Sequence, residues 1–135
     1  MAENAVILVG NLTGNLELRF TQAGKARANC GMAVNRRWFR NEVWEEQTSF
    51  FNLVMWDELA ENAVKTLVKG TRVVVSGRLE QRAWEQDGVK RTAVEVMVDD
   101  IGPSLRWATA TVAKTPKKDK APATDNAAEY QEEPF

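Results

Sequence analysis

Several aromatic residues of this chain occur beside arginines. Trp38 lies within the run RRWFR of residues 36–40, and Trp84 follows Arg82 by two positions. A flat ring stacks on a nucleic-acid base of any identity, at about 1–3 kcal/mol per base, and neighbouring cations neutralise the phosphates. The pattern therefore predicts a surface for single-stranded nucleic acid. The competing interpretation is structural, because a tryptophan in a small β domain is more often a core or interface residue.

A strand-like run, QTSFFNLVMW, supplies two further rings. Strand alternation places Phe50 and Trp56 on one face and Leu53 and Met55 on the other. Because both faces are apolar, the aromatic face must be covered or must contact a ligand. We expect Leu53 and Met55 to face the core and Phe50 and Trp56 to be offered to bases, with Phe51 in the core or at a subunit interface.

The residue types that catalysis needs are scarce. There is no histidine, which excludes Ser-His and Cys-His nucleophilic pairs and zinc sites that use histidine. The single cysteine, Cys30, cannot form an internal disulfide and is expected to pack as a small apolar side chain. The carboxylates at residues 45–46 and 57–58 have no second catalytic group beside them. We predict no metal, no cofactor and no enzyme activity; an unrecognised hydrolase remains an unsupported alternative.

The composition divides the chain into two parts. Residues 1–112 have balanced acidic and basic side chains and are predicted to form one domain, whereas residues 113–135 read as a flexible linker with an acidic tip. The formal net charge is −1. There is no apolar run of about 18 residues, and the start carries an acidic residue where a signal peptide would be basic. We therefore expect a cytoplasmic protein.

The order of predicted elements indicates a small β barrel. Turn signals separate five strand-like runs, and an amphipathic helix follows the third, with Asp57 as its expected N-cap and Gly70 as its stop. This is the order of the OB-fold, a five-stranded barrel with one helix between strands 3 and 4, although a generic α+β sandwich shares it. The predicted strands are Ala5–Leu12, Ala26–Trp38 with a possible arm at Leu16–Thr21, Gln47–Trp56, Thr71–Ala83 and Lys90–Asp99. Gly77 suggests a bulge or a barrel corner. A polar loop or hairpin tip is expected at Asn41–Glu46, and an extra edge strand or clasp over Ile101–Val112.

Several motifs together resemble the bacterial single-stranded DNA-binding proteins. They are VILVGNL at residues 6–12, ELRF at 17–20, EQTSFFNLVMWDELAEN at 46–62 and LVKGTRVVVSGRL at 67–79. The segment VDDIGPSLRWATATV at 98–112 looks like the clasping strand of the actinobacterial branch. The resemblance covers most of residues 1–112 and implies an OB-fold that coats single-stranded DNA in replication, recombination and repair, in the nucleoid-associated cytoplasm. It also implies a homo-oligomer, expected to be a tetramer.

The resemblance also implies which residues contact DNA. The family's base-stacking rings fall on Trp38, Phe50, Trp56 and Trp84, although the ring types at 50 and 56 are exchanged. Lys69 and Arg82 fall on family basic positions, whereas Glu80 and Ala83 replace residues that are often basic. The residues predicted to contact phosphate are Arg36, Arg37, Arg40, Lys69, Arg72, Arg78, Arg82, Lys90 and Arg91.

The last residues resemble the family's partner-binding tip in a shortened form. Glu132, Glu133, Pro134 and Phe135 are predicted to recruit partner enzymes of DNA replication and repair, with the ring and the terminal carboxylate entering a basic-rimmed pocket. The alternative for this tip is an acidic end that aids solubility. For the whole protein, the alternatives are an RNA-binding OB module and an interaction scaffold that has lost binding.

Overall fold

The computed structural model describes residues 3–116. The predictions for the linker beyond residue 116 and for its tip, Glu132–Phe135, lie outside the described residues. Within them the chain forms six strands and one helix. They are β1 (Val6–Leu12), β2 (Glu17–Phe20), β3 (Ala26–Arg40), β4 (Val43–Trp56), α1 (Asp57–Thr66), β5 (Arg72–Gln86) and β6 (Val89–Pro103).

The strands form one closed barrel. Their order is β1-β5-β6-β4-β3-β2, and an additional pairing of β1 with β3, through Leu12 opposite Met32, closes the barrel and leaves β2 as a short strand beside β3. β4 and β6 are parallel, and the other pairs are antiparallel. β2 is the short arm that the sequence suggested, paired with the start of β3. The five long strands and single helix confirm the predicted OB-fold.

Two tight turns produce long hairpins that extend beyond the barrel. Asn41 and Glu42 join β3 to β4 with φ of 53° and 62°, and Asp87 and Gly88 join β5 to β6 with φ of 53° and 78°. Positive φ at both central residues matches the right-handed twist of the flanking strands. The turn at Asp87-Gly88 was predicted. The polar loop predicted over Asn41–Glu46 is wrong beyond Glu42, since β4 already begins at Val43.

The core consists of aliphatic and methionine side chains with one cysteine. Leu53 and Met55 are fully buried, as predicted, and face Cys30 and Ala28 across the β3–β4 ladder. Of the described residues, none that is buried is aromatic. Burial raises the pKa of the Cys30 thiol, which donates to the carbonyl of Gly14 at 3.0 Å. This confirms the expected packing role of Cys30.

Two glycines allow backbones to approach closely where the barrel bends. A Cβ on Gly10 of β1 would collide with the carbonyl oxygen of Ala33 of β3, at the seam where the barrel closes. A Cβ on Gly77 of β5 would collide with the carbonyl oxygen of Met97 of β6. The β5–β6 register shifts at Ser76/Gly77, which confirms the predicted bulge.

The helix covers one end of the barrel, but its first and last residues differ from the prediction. Asp57 is its first residue, with φ of 60°, and the cap position is Trp56, without a side-chain cap in the described part of the chain. Asp57 is therefore not the N-cap. The helix ends at Thr66 rather than Gly70, because Leu67 turns to an extended conformation and packs into the core. Gly70 instead lies in the following turn, where its N–H donates to the Leu12 carbonyl at 2.8 Å.

The clasp strand predicted over Ile101–Val112 is not a separate element. Its first residues, Ile101–Pro103, continue β6 and pair with Val75–Val73 of β5. One more bond follows, from the N–H of Ser104 to the carbonyl of Arg72 at 2.8 Å. β5 begins at Arg72, so the ladder has no further partner there, and residues 104–116 form no strand.

Candidate nucleic-acid interface

The β3–β4 ladder assigns each side chain of the hairpin to one of two faces. Its register is unbroken from Arg27 opposite Trp56 to Arg40 opposite Val43. Directly opposed residues share a face, and successive residues alternate. The buried pair Cys30 and Leu53 marks the inner side, so Phe50 and Trp56 belong to the outer one.

The same side continues across the neighbouring strands. Asn52 of β4 is in register with Glu95 of β6, and Glu95 is in register with Glu80 of β5. Two and four residues after Glu80 come Arg82 and Trp84, opposite Ala93 and Arg91. We call this side of β3, β4, β6 and β5 the outer face. It carries Trp56, Phe50, Glu95, Arg82 and Trp84 along one connected surface.

Three of the four predicted stacking rings share the outer face. The Phe50 side chain is 72% exposed, and Trp56 and Trp84 are half-buried. Trp38 lies on the opposite side of the hairpin, because it has the same strand parity as the buried Met32. It is half-buried there, opposite Glu45. The structure thus brings Phe50, Trp56 and Trp84 to one face but does not bring Trp38 to it.

Each of the chain's 5 tryptophans has a cation over its ring. The guanidinium of Arg82 lies 4.4 Å from the ring centroid of Trp84, and Arg36 lies 5.0 Å from that of Trp38. Such contacts hold the charge against the aromatic surface. A base that stacks on the ring is then next to a group that can neutralise its phosphate. The remaining contacts are Lys25 and Arg27 with Trp56, Arg37 with Trp44, and Arg72 and Arg106 with Trp107.

A buried carboxylate orients the guanidinium at Trp84. Glu95 is only 8% exposed, and its Oε2 accepts a hydrogen bond from Nε of Arg82 at 3.3 Å. Because Arg82 binds Glu95 through Nε, its terminal nitrogens remain available on the outer face. The pair therefore fixes one cation at the junction of β5 and β6.

The other predicted phosphate contacts do not all lie on the outer face. By register, the outer face includes Arg37 of β3 and Arg91 of β6. The opposite side of the β3–β4 hairpin, which carries Trp38, also carries Arg36 and Arg40. Lys90 lies on the side of β6 opposite to Arg91. Arg78 is on the outer face, where it pairs with Glu80 at 3.1 Å and Asp99 at 3.6 Å. Glu80 thus reduces the positive charge there.

Two predicted cations lie away from the outer face. Arg72 is at the other end of β5 from Trp84, with its guanidinium 4.5 Å from the Trp107 ring centroid and its Nε donating to Ser104 Oγ at 3.4 Å. Lys69 follows α1, and its N–H donates to Asn15 Oδ1 at 2.8 Å. The structure does not bring either residue to the stacking rings.

The sequence prediction missed a ring pair near the hairpin tip. Phe39 and Trp44 face each other across the ladder on the outer face, with ring centroids 5.2 Å apart. Strand alternation could have revealed Trp44, because it lies on the same face as Phe50 when every second residue is counted back along the strand. The expected polar loop at residues 41–46 excluded Trp44 from the predicted strand.

Two negative observations concern residues 3–116. In this range the one helix is too short to cross a bilayer. The same residues contain no grouping of three or more potential ligand side chains in a position to hold a metal ion.

Comparisons with known proteins agree with this geometry. A model described as the single-strand binding protein family matches residues 3–104. The single-stranded DNA-binding protein of Paenarthrobacter aurescens is 48% identical over 117 residues, which are 84% of this chain and 68% of that protein. The protein of the same name from Mycolicibacterium smegmatis is 47% identical over 116 residues, 83% of this chain and 70% of that protein.

A solved structure supports the same relationship. The crystal structure of the small single-stranded DNA-binding protein from Streptomyces coelicolor superposes with a TM-score of 0.66 at 32% identity, covering 78% of this chain and 97% of that one. These relatives are named for binding and not for catalysis, in agreement with the prediction of a non-enzymatic protein.

Proposed function

The chain belongs to the single-strand binding protein family, and from this premise we propose that it binds and coats single-stranded DNA without strong sequence preference. The observation that carries the proposal is the outer face, on which Phe50, Trp56 and Trp84 lie together with cations on the tryptophan rings. Stacking is tolerant of sequence because every base has a flat face. The names of the relatives support DNA as the ligand.

The proposed path of the strand uses the geometry of the β3–β4 hairpin. Bases stack on Phe50, Trp56 and Trp84, while Arg82 and Arg91 neutralise intervening phosphates. Trp38 stands on the other side, so a strand that also stacks there must pass around the edge of β4. Within the described residues, β4 pairs with β6 only at Asn52–Val54, which leaves its distal edge clear for this passage.

Titration with oligo(dT) tests the proposed function. Intrinsic tryptophan fluorescence should be quenched as bases stack on Trp56 and Trp84, and the affinity should fall as salt rises, because phosphate neutralisation releases counterions. Matched oligo(U) RNA serves as the competitor. Unquenched fluorescence at low salt would favour the non-binding scaffold, and preferential binding of the RNA would refute the DNA assignment.

We also propose the finer features that the family resemblance implies. The protein forms a homo-oligomer, expected to be a tetramer, through its domain at residues 1–112, and acts in replication, recombination and repair in the nucleoid-associated cytoplasm. Exposed aliphatic side chains support a subunit contact: Val9 and Val74 are paired across β1 and β5, and Ile7 lies two residues before Val9 on the same side of β1. Mass measurement in solution checks the oligomer, and a monomeric mass would contradict it.

The C-terminal tip is proposed to recruit partner enzymes. Deleting Pro134-Phe135 is expected to leave affinity for oligo(dT) within about twofold, because the rings and cations of the outer face are unchanged. The same deletion should abolish capture of replication and repair proteins from a lysate, since the ring and its adjoining carboxylate enter the partner's pocket. Affinity capture on the immobilised full-length and truncated proteins measures both.

The control for the tip keeps its ring and removes charge beside it. Glu132→Gln with Glu133→Gln removes two carboxylates and keeps Pro134 and Phe135, so it should weaken capture without eliminating it, because the acids only steer docking. Equal capture by the full-length and truncated proteins would contradict the recruiting role and leave the acidic end as an aid to solubility.

A further inference from the structure

We propose that Phe39, Trp44 and Arg37 form an additional base-stacking subsite near the tip of the β3–β4 hairpin. We call it the tip subsite. It rests on the proposed binding of single-stranded DNA and deepens it, because it extends the path of the strand beyond Phe50, the last predicted ring on this part of the outer face.

The first support is that two aromatic rings are exposed and do not pack in the core. Phe39 is 57% exposed and Trp44 is 61% exposed, and neither belongs to the core or to the side chains packed against it. Their ring planes are inclined by 60°, so each ring covers only part of the other. Part of the surface of each ring therefore stays exposed, and a base can stack on it.

The second support is the cation. The guanidinium of Arg37 lies 5.2 Å from the ring centroid of Trp44. This is the combination found at Trp84, where Arg82 lies over the ring. A base on Trp44 would have its phosphate beside a positive charge, as the chemistry of single-strand binding requires.

The third support is continuity with the outer face. Phe39 and Trp44 have the same strand parity as Ala33 and Phe50, and the register between them has no bulge. Between the two ring positions the outer face carries Asn35 opposite Thr48, whose Oγ1 donates to Asn35 Oδ1 at 2.6 Å, and then Arg37 opposite Glu46. The face between the rings is therefore polar.

The separation of the rings sets the length of the added path. Trp44 and Phe50 are six residues apart, which is about 20 Å along a strand. At the roughly 3.4 Å per nucleotide of one strand in duplex DNA, this distance corresponds to about six nucleotides, and to fewer in a stretched strand. The tip subsite therefore lengthens the bound segment and does not add a second ring for the same base.

The test replaces Trp44 by valine and varies the length of the DNA. Valine keeps a strand-forming side chain beside the turn but removes the flat face. We expect Trp44→Val to weaken binding of an oligo(dT) of about 16 nucleotides by about 5- to 150-fold, and to change binding of one of about 8 nucleotides by less than twofold. Trp44→Phe, which keeps a ring, should retain most of the affinity for the longer oligonucleotide.

The matched control is Trp107→Val. Trp107 is also exposed and also lies under an arginine, Arg72, but at the other end of β5. Equal losses in the Trp44→Val and Trp107→Val proteins would overturn the tip subsite, as would equal losses of Trp44→Val for both DNA lengths, which would indicate a structural role.

The outcomes separate the tip subsite from the proposed function on which it rests. If the unaltered protein binds neither oligonucleotide, the proposed function fails, and the tip subsite fails with it. If the unaltered protein binds both oligonucleotides and the Trp44→Val protein binds each of them as tightly as the unaltered protein does, the tip subsite alone is refuted.

Discussion

Replacing Phe50 and Trp84 together by alanine is expected to lower the affinity for single-stranded DNA by about 2–6 kcal/mol. Each ring is expected to stack one base, and a base–aromatic stack contributes about 1–3 kcal/mol. The two rings lie on the same outer face but on different strands, β4 and β5, without a contact between them that would couple their losses. Fluorescence anisotropy of labelled oligo(dT) at one fixed salt concentration measures the change.

Two controls distinguish stacking from loss of structure. Phe50→Tyr combined with Trp84→Phe keeps both flat faces and should bind within about tenfold of the unaltered protein. The alanine protein should unfold at nearly the same denaturant concentration, because Phe50 is 72% exposed and neither Phe50 nor Trp84 belongs to the core or to the side chains packed against it. An affinity loss of a few tenths of a kcal/mol or less would show that these rings are structural.

Trp38→Ala extends this test to the other side of the hairpin. The loss should again be about 1–3 kcal/mol if the strand passes around the edge of β4. A loss confined to the outer-face rings would instead restrict the DNA to that face.

Replacing Gly10 by alanine is expected to lower the free energy of unfolding by about 1–3 kcal/mol, the usual cost of forcing an extra carbon into a packed site. The added Cβ would collide with the backbone carbonyl of Ala33 at the seam between β1 and β3. Backbone atoms cannot rotate away as a side chain can, so the seam itself must open. Urea unfolding at a fixed protein concentration measures the loss.

Gly14→Ala is the matched control for this substitution. Gly14 lies four residues later, and a Cβ there would have no neighbour within 4 Å. Its substitution should leave the unfolding midpoint unchanged or slightly raised, because alanine restricts the unfolded chain more than glycine does. The same loss in both proteins would contradict the steric origin of the Gly10 effect.

The sequence was sufficient for the order of the elements. Alternating runs, the Asp87-Gly88 turn and the isolated Gly77 are local signals, and each one corresponds to the observed barrel. The limits of α1 were not predictable, because the end of the helix depends on Leu67 reaching the core, a tertiary contact. The extent of β6 is likewise set by where its partner β5 begins.

The candidate site was predictable in its residue types more than in its arrangement. Strand alternation from Ala28 through Val34, continued along the chain, places Trp38 on the same side as the buried residues. Because the predicted strand ended at Trp38, the alternation was not carried to that residue. Trp44 was missed because the turn is only two residues long, and turn length fixes the register of a hairpin. Whether an aromatic ring near the hairpin tip lies on the same face as the other rings therefore depends on the length of this turn.

The aliphatic core has an evolutionary consequence. Since the buried side chains of the described residues include no aromatic ring, substitution among Phe, Tyr and Trp on the outer face requires no repacking of the interior. A lineage can therefore adjust how strongly it holds DNA, one ring at a time, with little change in the stability of its barrel.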